Sequence, residues 1–224
     1  HQLPSIDPGN VLKDIIESGT IPVVTLNVVK RQGAGSGVLY NANAILDGNP
    51  IKSMKVNDKG VKDNAYIFKS DDPTAARNAV VSMVAAMGKR GYRLQDIQVL
   101  CPQKQTDVGV YALNYALQAA FNPPAESKVE VFSQRVTIHD ENAEMGRVAK
   151  IMKVKDGKTV RQRVYVQVSS GQFVMYEDNW DDLTLAYAMT IHRAQGSQWP
   201  IVIAPIMSCN RTMLNRQILY TLYT

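Results

Sequence analysis

The side chains best suited to chemistry in this sequence lie in one run, Tyr187 to Pro200. An apolar, strand-like stretch leads there into a polar turn that contains a glycine, and a second apolar stretch follows. Ligands of open α/β sheets bind beyond the strand ends, and glycine lets a phosphate approach backbone amides closely. The pattern therefore predicts a site for a phosphate-bearing ligand, with the candidate residues Thr190, His192, Gln195, Gly196 and Ser197. An ordinary polar connection between two strands stays open as an alternative.

Two further candidates follow the ends of other strand-like stretches. Arg31 stands after an apolar run, and its guanidinium presents a planar fork of donors that matches phosphate oxygens. Lys104, in the segment Pro102 to Gln105, follows a second such run. Taken singly, each also fits a residue on a solvated surface. Because parallel strands end at a common edge of their sheet, we expect the three candidate segments to converge there.

Other kinds of site find no support in the sequence. Gly33 to Gly37 lacks the Gly-Lys-Ser/Thr ending of a P-loop, and the three histidines lack metal-ligand spacing, so no metal site is expected. Cys101 and Cys209, in or beside apolar strand-like runs, are interpreted as free, buried thiols of an intracellular protein. Because we find neither a signal peptide nor an apolar run of the roughly 18 residues that span a membrane, we expect a cytoplasmic location and no membrane partner. The net charge of +5 is compatible with a polyanionic partner.

The elements that must position these residues alternate between strands and helices. Strands are predicted at Ile97 to Cys101, Leu183 to His192 and Ile201 to Ile206. Asp72-Pro73 is typical of a helix start, and the spacing of Val110, Leu113 and Leu117 predicts another helix. This alternation predicts an α/β fold with an open, mostly parallel sheet flanked by helices.

Between the strand predicted at Ile97 to Cys101 and the one predicted at Leu183 to His192, the sequence follows a different pattern. Short alternating stretches occupy Val129 to Thr137, Arg147 to Val154, Val160 to Val168 and Phe173 to Tyr176. Asp156-Gly157 and Ser170-Gly171 are typical of hairpin turns between them. We therefore expect a small antiparallel β-barrel inserted into the α/β domain.

Several segments resemble the motifs of superfamily 1 DNA helicases, most closely the RecD-like branch. Residues 187–199, with Thr-Ile-His-Arg-Ala-Gln-Gly-Ser-Gln-Trp, resemble motif V, and Arg31-Gln32 falls at motif IV. Residues 2–12 look like the tail of motif III, and residues 216–224 like motif VI up to its arginine. Val99 to Pro102, with the helix that contains Leu113-Asn114, is similar to a strand and helix of the family. The resemblance covers nearly the whole chain, in the right order.

The resemblance implies a division of the chain into domains. Residues 1–20 would be the tail of a first motor domain, and residues 21–124 with 183–224 a second, RecA-like motor domain with a parallel sheet flanked by helices. Residues 125–182 would form an inserted SH3-like β-barrel. The chain is then expected to be part of a longer helicase, cut short at both ends.

The resemblance also implies roles for single residues. Gln2 would sense the γ-phosphate of ATP, and Arg31 would stabilise charge on the transferring phosphoryl group, a role worth ~10³–10⁵ in rate in other enzymes. Gly196 and Gln198 would face the nucleotide. The family likeness and the position of the strand ends together give the candidate DNA contacts Thr190, His192, Ser197, Pro102 and Lys104.

The implied activity is ATP-driven translocation on single-stranded DNA, 5′-to-3′ in this branch, with unwinding at duplex junctions. ATP and Mg²⁺ would be bound mainly by the first motor domain of the same protein. Because no P-loop occurs in these 224 residues, the isolated chain is expected to be inactive. One departure is Gln198, where related helicases usually carry glutamate. A non-catalytic nucleic-acid-binding or interaction module with a helicase-like fold is the alternative.

Overall fold

The computed structural model of the chain describes residues 3, 10–24, 36–54, 65–123, 135–138, 145–156, 159–168, 170–177 and 183–224. Two compact units are present, one formed by His1–Lys69 with Met213–Thr224 and the other by Ser70–Thr212. The predicted bounds of the motor domains and of the inserted domain stay a prediction.

In the larger unit a helix, a strand and a second helix precede a block of strands, and two short strands follow it. Within the described residues, the helices are α1 (Val11–Ser18), α2 (Gly37–Asp47), α3 (Pro73–Lys89), α4 (Val110–Phe121) and α5 (Arg216–Tyr223). The described strands are β1 (Ile97–Cys101), β2 (Arg135–Ile138), β3 (Met145–Asp156), β4 (Thr159–Val168), β5 (Phe173–Glu177), β6 (Leu183–Leu185), β7 (Ala188–Thr190) and β8 (Ile201–Ile203).

A three-stranded parallel sheet of order β7-β1-β8 forms the centre of the larger unit. Every residue of β1 is buried, as a strand with a partner on each side and helices nearby requires. The predicted bounds of β1 are confirmed. The predicted strand Leu183 to His192 is wrong as one element, because the chain leaves the antiparallel sheet after Leu185 and enters the parallel sheet at Ala188. The predicted strand at Ile201 ends at Ile203.

Helices α3 and α4 pack on this sheet through their apolar residues. Asp72 caps α3, since its carboxylate accepts hydrogen bonds from the amides of Thr74 (3.0 Å) and Ala75 (2.9 Å). The residues that fill the core between helices and sheet include Val80, Val84, Val99, Cys101, Leu113, Leu117 and Tyr187. The predicted α/β class, with helices flanking a parallel sheet, is therefore confirmed.

The block of strands between α4 and β7 forms an antiparallel sheet of order β5-β4-β3-β2-β6. Val148, Val164, Val166 and Val168 lie buried on one of its faces. Among the described residues β5 pairs only with β4 and β6 only with β2, so the sheet is open. The antiparallel pairing was predicted correctly, whereas the closure into an SH3-like barrel is not observed.

The smaller unit contains α1, α2 and α5, and α2 packs against α5. Ser36 caps α2, and the buried Asn41 side chain exchanges two 2.9 Å hydrogen bonds with the backbone of Lys52. Gly19 ends α1 with a left-handed conformation (φ 65°), which favours glycine. In the described part of the chain, no helix combines the length and apolar character needed to cross a membrane.

Candidate nucleic-acid interface

The candidate site begins where β1 and β7 end side by side. Cys101 pairs in register with Thr190, and the Ile191 amide donates a 3.0 Å hydrogen bond to the Cys101 carbonyl. The segments that leave the two strands, Pro102 to Gln105 and the turn after Thr190, therefore start from adjacent positions. Two of the three predicted segments meet at one sheet edge. The third, at Arg31, lies outside the described residues.

The turn after β7 is folded around the Thr190 side chain and backbone. The Thr190 hydroxyl oxygen accepts a hydrogen bond from the Arg193 amide (3.3 Å), and the Thr190 carbonyl accepts one from the Ala194 amide (3.2 Å). The turn continues through a bond from the Ser197 amide to the Ala194 carbonyl (2.9 Å) and through Gly196, whose φ is 85°. A hydroxyl that accepts such a bond can still donate its own proton, for example to a phosphate oxygen.

The segment after β1 is folded back onto the first turn of α4. The Gln103 and Lys104 carbonyls accept hydrogen bonds from the Val110 (3.2 Å) and Tyr111 (3.3 Å) amides, groups that lack partners inside the helix. Close packing here requires Gly109, because a Cβ at that position would lie 2.6 Å from the Lys104 carbonyl oxygen. The backbone of Lys104 is thus fixed relative to α4.

A second set of bonds ties the same segment to residues after β8. The buried Asn210 side chain donates to the Gln103 side-chain oxygen (3.0 Å) and accepts from the Met207 amide (3.0 Å). Gln103 in turn donates to the Thr212 hydroxyl (3.4 Å). The segment that carries Lys104 is therefore held on two sides rather than projecting freely.

A groove of about 280 Å³ lies between α4 and β7. Its floor is apolar, formed by residues such as Leu185, Ala188 and Met189. Its polar lining includes Lys104, Tyr111, Asn114, Tyr115, Thr190 and Arg193. Two cationic side chains line the groove, and none of its lining residues, all of which are described, is acidic. Such a groove suits an anionic ligand that also has an apolar part.

The predicted site residues divide into four groups in the structure. The groove brings Thr190 and Lys104 together. His192, Gly196, Ser197 and Gln198 are exposed on the turn but do not line the groove. Pro102 is buried, which does not favour a direct DNA contact by its side chain. Gln2 and Arg31 lie outside the described residues, so their roles stay predictions.

The sequence reasoning missed four residues at this site: Tyr111, Asn114, Tyr115 and Arg193. Asn114 was visible as a polar residue beside Leu113 on the apolar face of a helix, a place where an amide must find buried partners. The two tyrosines, four residues apart on the other face, carried no signal against an ordinary solvated surface.

The thiol of Cys101 lies beneath the strand ends and does not offer a charged group to the site. Burial raises its pKa to about 12, because an apolar environment disfavours the thiolate. In the described part of the chain, no group of three or more histidine, cysteine or carboxylate side chains stands close enough together to hold a metal ion.

Comparison with known protein families indicates the class of protein to which the segment around this site is similar. Residues 185–224, which include β7, the turn after it, β8 and α5, match the UvrD-like helicase C-terminal domain. That match covers the part of the chain in which the motif V and motif VI resemblances lie.

Proteins that match the whole chain indicate which branch of helicases it is similar to. The chain is 28% identical over its full length to the ATP-dependent RecD2 DNA helicase of Deinococcus radiodurans, and it covers 30% of that protein. It is 23% identical to the RecBCD enzyme subunit RecD of Mycobacterium tuberculosis, of which it covers 41%. These matches confirm the resemblance to RecD-like superfamily 1 helicases. The chain spans less than half the length of each of these curated relatives.

Proposed function

We propose that this chain is part of an ATP-dependent DNA helicase, in which it binds single-stranded DNA and supplies one side of the ATP site. One observation carries the proposal. Thr190 and Lys104 both line the groove between α4 and β7, and Thr190 belongs to the segment that matches the UvrD-like helicase C-terminal domain. The groove is cationic, as a phosphate backbone requires.

The DNA contacts follow from the chemistry of the two side chains. The Lys104 ammonium neutralises a phosphate, and the Thr190 hydroxyl donates its proton to a phosphate oxygen. His192 and Ser197, exposed on the same turn, extend the contacts along the strand. These contacts carry no base information, so binding is independent of sequence.

The ATP site is completed by another domain. Gly196 and Gln198 face the nucleotide, Gln2 senses the γ-phosphate, and Arg31 stabilises charge on the transferring phosphoryl group. By its likeness to the family, we assign the Mg²⁺ ion and the β-phosphate to the first motor domain. The isolated chain should then hydrolyse ATP negligibly. In the complete protein, translocation is 5′-to-3′ and unwinding occurs at duplex junctions, in the cytoplasm.

The test is an ATPase measurement on the complete protein that carries this chain, with and without oligothymidylate. We expect strong stimulation by the single strand. Arg31→Ala should lower the stimulated turnover by about 10³-fold or more, while the affinity for single-stranded DNA stays close to that of the unmodified protein. Arg31→Lys is the matched variant that keeps the charge but loses the planar fork, and it should also be slow. Near-normal turnover of Arg31→Ala contradicts the assignment.

Polarity needs a separate measurement. Partial duplexes with either a 5′ or a 3′ single-stranded tail are offered to the complete protein with ATP. Unwinding of the 5′-tailed substrate alone agrees with the proposal, and unwinding of the 3′-tailed substrate alone contradicts it.

A second candidate function is a nucleic-acid-binding module without catalysis. Gln198 favours it, because the family usually carries glutamate at this position. The same measurement separates the two functions. DNA binding without any ATP hydrolysis by the complete protein identifies the module.

A further inference from the structure

Two tyrosines stand exposed on α4 beside the groove. The Tyr111 and Tyr115 residues are 56% and 76% exposed, and both line the groove together with Lys104 and Thr190. Residues four apart lie on the same face of a helix, so the two rings form one surface. An exposed aromatic residue alone needs no explanation, but an aromatic pair at the wall of a cationic groove does.

Packing of the protein does not account for the pair. The core-facing side of α4 is formed by Val110, Leu113 and Leu117, which are buried. The tyrosines lie away from that side and contribute little burial. They are therefore available to a ligand, and removing a ring should leave the helix in place.

The spacing of Tyr111 and Tyr115 along the axis of α4 favours one kind of ligand. Four residues of α-helix rise roughly 6 Å along the axis. Successive nucleotides of a duplex strand are only about 3.4 Å apart, so bases that meet the two rings are not stacked directly on each other. Only an unpaired strand offers its bases in this way, and every base has a face that stacks on an aromatic ring.

We propose that Tyr111 and Tyr115 form a base-stacking platform for single-stranded DNA, whose phosphates are bound by Lys104 and Thr190. This inference rests on the proposed function and deepens it, because it assigns the bases, and not only the backbone, to the groove. The platform binds without base preference, as stacking does. It also gives the groove a means to distinguish single strands from duplex, which the phosphate contacts alone do not provide.

The test compares two probes that carry the same phosphates. The complete protein is titrated, without nucleotide, against a fluorescein-labelled oligothymidylate and against an abasic oligonucleotide of the same length, with fluorescence anisotropy as the readout. The unmodified protein should prefer the probe that has bases. Tyr111→Ala and Tyr115→Ala should each weaken oligothymidylate binding by roughly 5- to 100-fold and leave binding of the abasic probe unchanged.

Matched variants separate stacking from other causes. Tyr111→Phe and Tyr115→Phe keep the ring and should bind as the unmodified protein does. Tyr92→Ala removes another exposed tyrosine, 43% exposed and outside the groove lining, and should leave both probes unaffected. Thermal unfolding of each variant shows whether it folds; if an alanine variant does not, the unmodified protein still tests the platform, because equal affinity for the two probes would overturn it.

Each outcome is decisive for one of the two proposals. If the unmodified protein binds neither probe, the proposed function itself is wrong. If it binds DNA and the alanine variants keep the full preference for bases, the platform is wrong and the proposed function stands. An equal loss for both probes also overturns the platform, because it shows that the tyrosines act on the phosphate contacts.

Discussion

Asn114 and Ala188 are joined by two hydrogen bonds, as if the side chain were a neighbouring strand. The Asn114 amide nitrogen donates to the Ala188 carbonyl (3.0 Å), and the Ala188 amide donates to the Asn114 side-chain oxygen (2.8 Å). The same nitrogen also donates to the Leu185 carbonyl (2.9 Å). This single side chain therefore holds the chain where it passes from β6 to β7, two residues before Thr190.

Replacing Asn114 with leucine should be costly because it removes the hydrogen-bond partner of the buried Ala188 amide and carbonyl and of the partly buried Leu185 carbonyl. We expect the free energy of unfolding to fall by about 2–4 kcal/mol and single-strand binding to weaken as Thr190 loses its position. Urea unfolding and anisotropy measure the two effects. The control is Gln118→Leu, a comparable replacement of an amide side chain by leucine at another groove-lining residue of α4, which should shift stability by less than about 0.5 kcal/mol. Equal effects of the two variants would contradict the role of Asn114.

The close packing of Gly109 against the backbone of Lys104 can be tested by substitution. In Gly109→Ala the new Cβ meets backbone atoms of Lys104 and Thr106 at under 3.0 Å, so the segment must move. The variant should lose about 1–3 kcal/mol of stability and bind single-stranded DNA more weakly. Gly88→Ala is the matched change, because no atom lies within 4 Å of the new Cβ. It should gain up to about 0.5 kcal/mol from helix propensity. A Gly109→Ala protein as stable as the original would show that the packing is looser than described.

The salt dependence of binding should distinguish the two phosphate contacts. Lys104→Ala removes a charge, so affinity should fall and the slope of log K against log salt should become shallower by about 0.7. Thr190→Val removes a neutral donor, so affinity should fall with the slope unchanged. Lys89→Ala, at the exposed end of α3, changes the net charge equally and should alter neither quantity strongly. Identical slopes for Lys104→Ala and the unmodified protein would remove Lys104 from the interface.

The two cysteines should differ sharply in reactivity. Burial raises the pKa of Cys101 to about 12, so roughly one of its thiols in ten thousand is ionised at pH 8. Cys209 is exposed. Brief treatment with iodoacetamide should therefore label Cys209 and spare Cys101, and guanidinium should make both react, as peptide mass spectrometry would show. Rapid labelling of Cys101 in the folded protein would contradict its burial.

Local signals in the sequence were sufficient for several elements. The bounds of β1 follow from a short apolar run stopped by Pro102, and α3 from the Asp72-Pro73 cap followed by residues at helical spacing. For the first helix, Asp7-Pro8 in the sequence is typical of a helix start and Gly19 of a helix end; Gly19 does end α1, but the helix starts at Val11, after Asn10. Asp7 itself lies outside the described residues.

Features that depend on pairing between distant segments could not be predicted. An apolar run such as 183–192 does not reveal that the chain changes sheets within it. Its first residue packs on the core of the antiparallel sheet and its later residues on the core of the parallel sheet, so both parts are apolar. Whether a set of antiparallel strands closes depends on the two edge strands, which local patterns do not constrain. Ala65 to Phe68 also look strand-like in the sequence, whereas among the described residues only Ala65 pairs there, in a single bridge to Met54.

The central place of β1 also determines how this part of the molecule opens. With both neighbours hydrogen-bonded to it and every residue buried, its amide hydrogens should exchange with solvent only when the whole unit unfolds. The segment that carries Lys104 leaves directly from the end of this strand. A force that bound DNA exerts on Lys104 is therefore transmitted to the end of a strand that is held in the sheet on both sides. We expect displacement of this strand to require unfolding of the whole unit and not only the movement of a surface loop.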